Sequence, residues 1–400
     1  MTEYVPDRNP DPAAAPVPDR RPHILLVSVL FPPDQGGVEV AAGEFAAAFP
    51  RLGFRVTVAT TTAGARASGP ADVRVFPRDG FPGRVAAFVR EIRPDLVFVN
   101  GLFLNGGMGF PFDTDGASGT PVVYRSHGFN TAFRIHWRHP PFFGMATFVR
   151  SFARAVLNDC KFRRLSQNVF LDDIKGWGQN FDIALASLLH PKNVSFIPNS
   201  FTSVARRETN RFRERFGIPS GDLVFLNVAN YCDRKGQVDA VRIIREHPEL
   251  DARFVFVGSE NNAFFSAAER LSAGDSRIRL LAGIPRDDVI AAINSCDVAF
   301  LFARQEQQPL FLSEAMSCGK PWFSTNVGSV SKMRGGIVLR RRNGDSFVRA
   351  VRELLDSRRR EELGTEGLSF WETNYSPDAV YPRWKRLLDD VLSGHIGNRY

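Results

Sequence analysis

The sequence predicts an α/β protein made of two doubly wound parallel-sheet domains with a cleft between them. Three observations carry that expectation. Apolar runs of strand length alternate with helix-like segments along most of the chain. The runs are nearly continuous, as in HILLV from His23 and VAFLF from Val298. Strands buried on both faces read that way, whereas half-exposed strands alternate. Finally, 400 residues exceed one ordinary hydrophobic core.

Taken in order, the first 22 residues are polar and proline-rich and read as a disordered tail without a signal-peptide h-region. The first domain is expected from 23 to 197. It opens with a strand from His23 to Leu30, followed by FPPDQGG and a helix from Val38 to about Leu52. Gly36 and Gly37 fall between strand and helix, where the backbone turns tightly or approaches a ligand. Strands are expected at Phe54–Thr60, Val73–Phe76 and Asp95–Asn100, with a helix at Gly83–Ile92. Pro121–Ser126 is a further strand, and His127 stands just past its carboxyl end, where such sheets bind ligands. Position alone leaves a buried histidine satisfied by backbone equally open. Short strands at Gln167–Leu171 and Val194–Ile197 precede a helix at Ala205–Phe216.

The second domain is expected from 198 to 375. Its strands are Leu223–Ala229, Arg253–Val257, Arg277–Leu281, Val298–Phe302 and Trp322–Val327. Helices follow Gly236, begin at Ala263, end at Asn294 and span Gly344–Leu355. A last helix, Ala379–Leu392, lies in a segment, 376–400, expected to cross back to the first domain.

Chemistry concentrates between Asp297 and Gly328. There a strand gives way to a polar loop holding Glu306, then Pro309, then helix formers from Leu310 to Ser317, with Gly319 as the stop. Glu306 sits on the loop and Glu314 about a turn into the helix. A helix N-terminus suits a phosphate. Carboxylates beside it suit hydroxyls, such as those of a ribose or a hexose. Either glutamate taken singly reads as an ordinary loop or helix residue.

The whole pattern, Glu306, seven residues, Glu314-Ala315-Met316, then Cys318-Gly319-Lys320-Pro321, resembles the E-x7-E motif of retaining GT-B glycosyltransferases, family 4 (glycosyl transferases group 1). IPNS at Ile197–Ser200 resembles the family's turn at the end of its first domain. The resemblance implies a nucleotide-sugar donor and transfer of its sugar, with retained configuration, to a glycan or lipid-linked acceptor in polysaccharide or glycolipid biosynthesis. It implies that Glu306 and His127 meet the donor sugar, and that the Leu310 and Phe311 amides meet sugar and diphosphate. Glu314 would meet the ribose, Lys235 the diphosphate and the Ile284 backbone the base. Gly36 and Gly37 would lie near the phosphates. The chain departs from the pattern at Asn230, where an arginine is common, and at Pro309, where glycine is common. Arg234 is the candidate substitute for the missing arginine. A nucleotide-sugar epimerase of the same fold and a non-catalytic nucleotide-sugar-binding protein are the alternatives.

Four scattered cysteines, no CxxC and seven histidines argue against a metal site and for reduced thiols in a cytoplasmic protein. No metal or cofactor is expected; the nucleotide-sugar is a co-substrate. Eight basic residues against one acid lie between Arg125 and Arg164, within a net charge of +8. With Trp137, Phe148 and Phe152 they make 134–164 a candidate peripheral contact with an anionic membrane, a packed helix being the equal alternative. No nucleic-acid-binding motif accompanies the patch.

Overall fold

The computed structural model describes residues 21–34, 37–100, 120–125, 169–171, 194–195, 197–205, 211–304, 306 and 308–394. Two parallel sheets organise it. The first runs β3-β2-β1-β4-β5-β6-β7, with β1 at His23–Val27, β2 at Arg55–Thr60, β3 at Asp72–Val75, β4 at Leu96–Asn100, β5 at Val122–Arg125, β6 at Val169–Leu171 and β7 at Val194–Ser195. The second runs β10-β9-β8-β11-β12-β13, with β8 at Val224–Val228, β9 at Arg253–Gly258, β10 at Ile278–Ala282, β11 at Val298–Leu301, β12 at Trp322–Thr325 and β13 at Gly336–Leu339. Strand order reverses between β1 and β4 and again between β8 and β11. Ligand crevices open at the carboxyl ends of strands at such reversals.

The continuous apolar runs fill both faces of each sheet, because successive side chains point to opposite sides. Ile24, Leu26, Val56, Val58 and Phe98 pack on one face of the first sheet, against Phe45 and Phe49 of the helix Gly37–Arg51. Leu25, Val27, Ala59, Val97 and Val99 pack on the other, against Phe81, Val85 and Phe88 of the helix Phe81–Ile92. In the second sheet Phe225, Phe254, Phe300 and Phe323 face one core, and Leu226, Val255, Leu301 and Trp322 face the other.

The last helix, Pro377–Leu392, belongs to the core of the first sheet although it follows the whole second sheet in sequence. Val380, Trp384, Leu387, Leu388 and Val391 are buried there, and the Trp384 ring lies 5.1 Å from Phe45 and 5.5 Å from Phe98. Its start is capped by Ser376, whose hydroxyl accepts from the Ala379 amide.

Two elements differ from the sequence expectation. Ala205 is not helical, and the described helix there is the short Arg211–Arg215; residues 206–210 lie outside the described set. A long helix, Ser357–Asn374, and the strand β13 were not anticipated. That helix carries Gly364 and Gly367, which lower its intrinsic propensity. They are needed for close approach: a Cβ on Gly364 would stand 2.2 Å from the Gly319 carbonyl oxygen.

Candidate functional site

The stretch from Val298 to Thr325 folds as strand, loop, helix and strand. β11 delivers the chain to the carboxyl edge of the second sheet. The polar loop turns there, pinned by the Arg304 amide donating to the Arg234 carbonyl at 2.8 Å. The helix starts at Leu310, with Pro309 as its extended cap. The Leu312 and Ser313 amides already bond to the Pro309 carbonyl. The Leu310 and Phe311 amides precede those first helical bonds, which leaves them for an anion. The far end closes in a Schellman arrangement, Gly319 N–H to Met316 and Lys320 N–H to Ala315, with Gly319 at φ 66°.

Beside this edge β8 ends at Val228, and a short 3-10 turn, Asp233–Lys235, leads into the helix Gln237–Glu246. Gly236 joins the two at φ 69°. The Lys235 ammonium donates to Glu306, and both side chains are largely buried. Glu314, 7% exposed, is met by the Arg286 guanidinium from the start of the helix Arg286–Ser295. Each cation thus meets one carboxylate of the pair.

Opposite lies the first domain's helix Gly37–Arg51. A Cβ on Gly37 would stand 3.5 Å from a Leu310 methyl, so the starts of two helices face one another. Further along, Glu44 approaches Arg286 and Glu314 closely enough for their charges to act on it. Burial pushes the Glu44 carboxyl above its ordinary range. A hydrogen bond from Tyr381, at 3.4 Å, opposes that shift. Burial likewise raises Glu39 in the first turn, against bonds from its own backbone amide and that of Val38.

Between these walls is a cavity of about 700 Å³. Gly37, Asn230, Arg234, Lys235, Ile284, Glu306, Leu310, Phe311 and Glu314 all line it, so residues spread over nearly three hundred positions converge. Asn230, in the place of the expected arginine, is accompanied by Arg234, which supplies a second cation beside Lys235. His127, Gly36 and the 134–164 segment lie outside the described residues. Among the described residues no group of three His, Cys, Asp or Glu side chains is placed to hold a metal ion, and no helix is long and apolar enough to cross a membrane. Burial pushes the Cys318 thiol up to about 11 and the Cys296 thiol up to about 12.

Sequence reasoning missed three cavity residues. Arg286 follows Pro285 at a helix start, but its pairing with Glu314 across 28 positions has no local signal. Glu44 lies within the helix Gly37–Arg51, where no motif marks it. Gln308 lay inside the singled-out stretch, yet nothing there announced its partner, Asn199, 109 positions away.

Comparison with known proteins agrees with this geometry. Residues 208–368 match the model of glycosyl transferases group 1, and residues 36–168 match a glycosyl transferase 4-like domain. A curated relative, N-acetyl-alpha-D-glucosaminyl L-malate synthase of Bacillus anthracis, is 24% identical over 129 residues; the match spans 32% of this chain and 34% of that protein. Sucrose-phosphate synthase from Thermosynechococcus elongatus superposes with a TM-score of 0.74 at 15% identity, covering 94% of this chain and all of that one. Anabaena HepE, solved in complex with UDP and glucose, gives 0.65 at 14% identity, covering 92% and 99%. With two parallel α/β domains facing one cleft and both halves matched, the chain belongs to the glycosyl transferases of group 1, with the GT-B fold.

Proposed function

We propose that the protein is a retaining hexosyltransferase that moves a sugar from a nucleotide-diphosphate sugar to a hydroxyl of a glycan or lipid-linked acceptor. The observation that carries the reading is the convergence of Lys235, Glu306, Glu314 and the Leu310–Phe311 helix start on one interdomain cavity. In this reading the diphosphate lies at that helix start, where the helix dipole and amides favour negative charge. Lys235 and Arg234 add compact and forked cations to the same charge. Glu314, one turn into the helix, takes the ribose hydroxyls. Glu306 takes the sugar and steadies positive charge growing on it as the bond to the diphosphate breaks. The leaving diphosphate helps accept the acceptor proton, with His127 placed at the sugar.

Lys235 and Glu306 pair with each other. A donor would replace that pair by two contacts, phosphate to lysine and hydroxyl to carboxylate. Charge on the leaving group is met by protein cations and amides, which supports a reaction without metal or cofactor. We place the donor on the 198–375 side and the acceptor on the 23–197 side, in a cytoplasmic protein with 134–164 touching anionic lipid. Sedimentation with acidic and neutral vesicles tests that contact: salt-sensitive recovery with acidic lipid alone supports it, and equal recovery in both supernatants removes it. Asn230 favours a second reading, a nucleotide-sugar-binding protein without turnover.

The deciding experiment is calorimetry with UDP, ADP and GDP and their glucose conjugates, followed by donor hydrolysis and transfer with and without chelator. Binding with turnover that survives chelation supports the transferase, and binding without turnover supports the second reading. No binding to any of them would remove both. Lys235→Ala should weaken the preferred diphosphate ten- to a hundredfold, by loss of a charge-assisted hydrogen bond worth about 1.5–3 kcal/mol.

A further inference from the structure

We propose that Gln308 is a positioning residue for the donor sugar, fixed by a relay through Asn199 to the buried Arg125; the inference rests on the transferase reading above. Gln308 is 7% exposed and lies between Glu306 and the helix start. Its carboxamide makes two bonds to one residue. The Asn199 amide donates to Oε1 at 2.7 Å, and Nε2 donates to the Asn199 carbonyl at 3.3 Å. This is the pattern of a strand pair, made by a side chain. A flipped amide would set donor against donor, so the pairing fixes the group's direction as well as its place.

Asn199 is itself held from the first domain. Its Oδ1 accepts from Arg125 Nη2 at 2.5 Å, and Arg125 Nη1 donates to the Ile197 carbonyl at 2.9 Å. Arg125 ends β5 and is fully buried. Its guanidinium lies 5.5 Å from the Phe45 ring centre and 5.2 Å from that of Trp384. Two aromatic rings and two acceptors leave that cation little freedom. Burying a guanidinium is expensive where an apolar side chain would fill the space. Here it fixes the turn that fixes Gln308.

Arg304 and Gln308, on either side of Glu306, are therefore both pinned. Arg304 is tied to Arg234 within the second domain, and Gln308 is tied to the first-domain side. Glu306 rides between the pins. Glu314, Leu310 and Phe311 are held by their own helix and do not need the second pin. Losing it should disturb the sugar contact and spare the nucleotide contact. Bound reactants tolerate little misplacement, so the loss should appear in turnover.

Gln308→Leu keeps the volume and removes both bonds. Calorimetry with UDP, ADP and GDP, nucleotide release from their glucose conjugates, and thermal unfolding are measured on the full chain. We expect diphosphate affinity within threefold of wild type and a tenfold or greater fall in nucleotide release. Asn199→Ala removes the acceptor for Arg125 and should show the same split, release falling more than affinity; unchanged release would remove Arg125 from the relay. If Gln308→Leu fails to fold, Gln308→Met, unbranched and uncharged, also removes both bonds and should show the same split. Equal losses of affinity and release, or unchanged release, would overturn the role of Gln308 while wild-type turnover leaves the transferase reading standing. A wild-type protein that binds none of these nucleotides would remove that reading first, and the relay's role with it.

Discussion

Arg286 and Glu314 form a forked ion pair, Nη2 on Oε1 and Nη1 on Oε2 at 3.4 Å, with the carboxylate buried and the guanidinium 41% exposed on the cavity side. A carboxylate has about four acceptor positions, so the fork leaves room for a diol on the remaining ones. The pair holds Glu314 in one orientation before any ligand arrives. Arg286→Ala should leave that carboxylate buried without its cation. Breaking a fully buried pair costs about 3–5 kcal/mol, and the exposed arginine discounts this to about 1–3 kcal/mol. Thermal unfolding should show the loss, and calorimetry a weaker nucleoside diphosphate. Arg286→Lys restores charge without the fork and should recover stability better than affinity. Wild-type affinity in Arg286→Ala would remove the arginine from the nucleotide site.

The two glutamates of the pair should fail differently. Glu314→Gln loses the charged acceptor for two ribose hydroxyls, and should weaken free nucleoside diphosphate and full donor alike. Glu306→Gln should barely change the free nucleotide, which has no sugar to hold, and should lower turnover more than donor binding. Both variants must keep the wild-type melting temperature for the comparison to stand. Equal weakening of the bare nucleotide by both would show the two roles to be wrong.

Gly236 cannot carry a side chain. Its φ is 69°, and a Cβ would lie 2.3 Å from the Phe302 carbonyl oxygen and 2.5 Å from Arg342 Nη2. The positive φ alone costs an alanine about 1–3 kcal/mol, and the fixed carbonyl adds to it. Gly236→Ala should therefore lower the melting temperature and, by moving the Lys235 turn, weaken diphosphate binding. Gly83 sits inside the helix Phe81–Ile92 with open space around its Cβ position. Gly83→Ala should instead stabilise by about 0.4–1 kcal/mol. Melting curves of the two variants moving in the same direction would contradict this contrast.

Glu44 makes stability fall with rising pH. Burial raises its folded value above 4.5, so the folded state keeps a proton that the unfolded state has lost. The loss begins as pH passes the unfolded value, grows until the folded value is passed, and is level above it. Glu44→Gln removes the titration and can still accept from Tyr381. It should match wild type in acid and be the more stable of the two near neutral pH. A variant less stable than wild type near neutral pH would show that Tyr381 and Arg286 outweigh the burial.

The fold class was legible because both sheets are buried on both faces. HILLV and VAFLF have no polar side to hide, and glycine or proline marks several of the helix ends. Local signals reached the helix Leu310–Ser317 as well, where Pro309 and Gly319 bracket the apolar turns. They did not reach Ser357–Asn374, because its interior glycines serve a close backbone contact that a propensity reading counts against a helix. Of the site, the residues carried by one continuous motif were readable. Arg286, Gln308 and Glu44 were not, because each acts through a partner brought near only by the fold.

The position of Trp384 bears on the order in which the molecule assembles. Domains generally complete themselves in the order in which they are synthesised. Here the first core is closed by Val380, Trp384 and Leu388, which emerge only after every strand of the second sheet. The second domain can be finished while the first still exposes Phe45, Phe49 and Phe98 to solvent. A nascent chain halted before residue 377 would then present an open aromatic surface, the kind that chaperones hold.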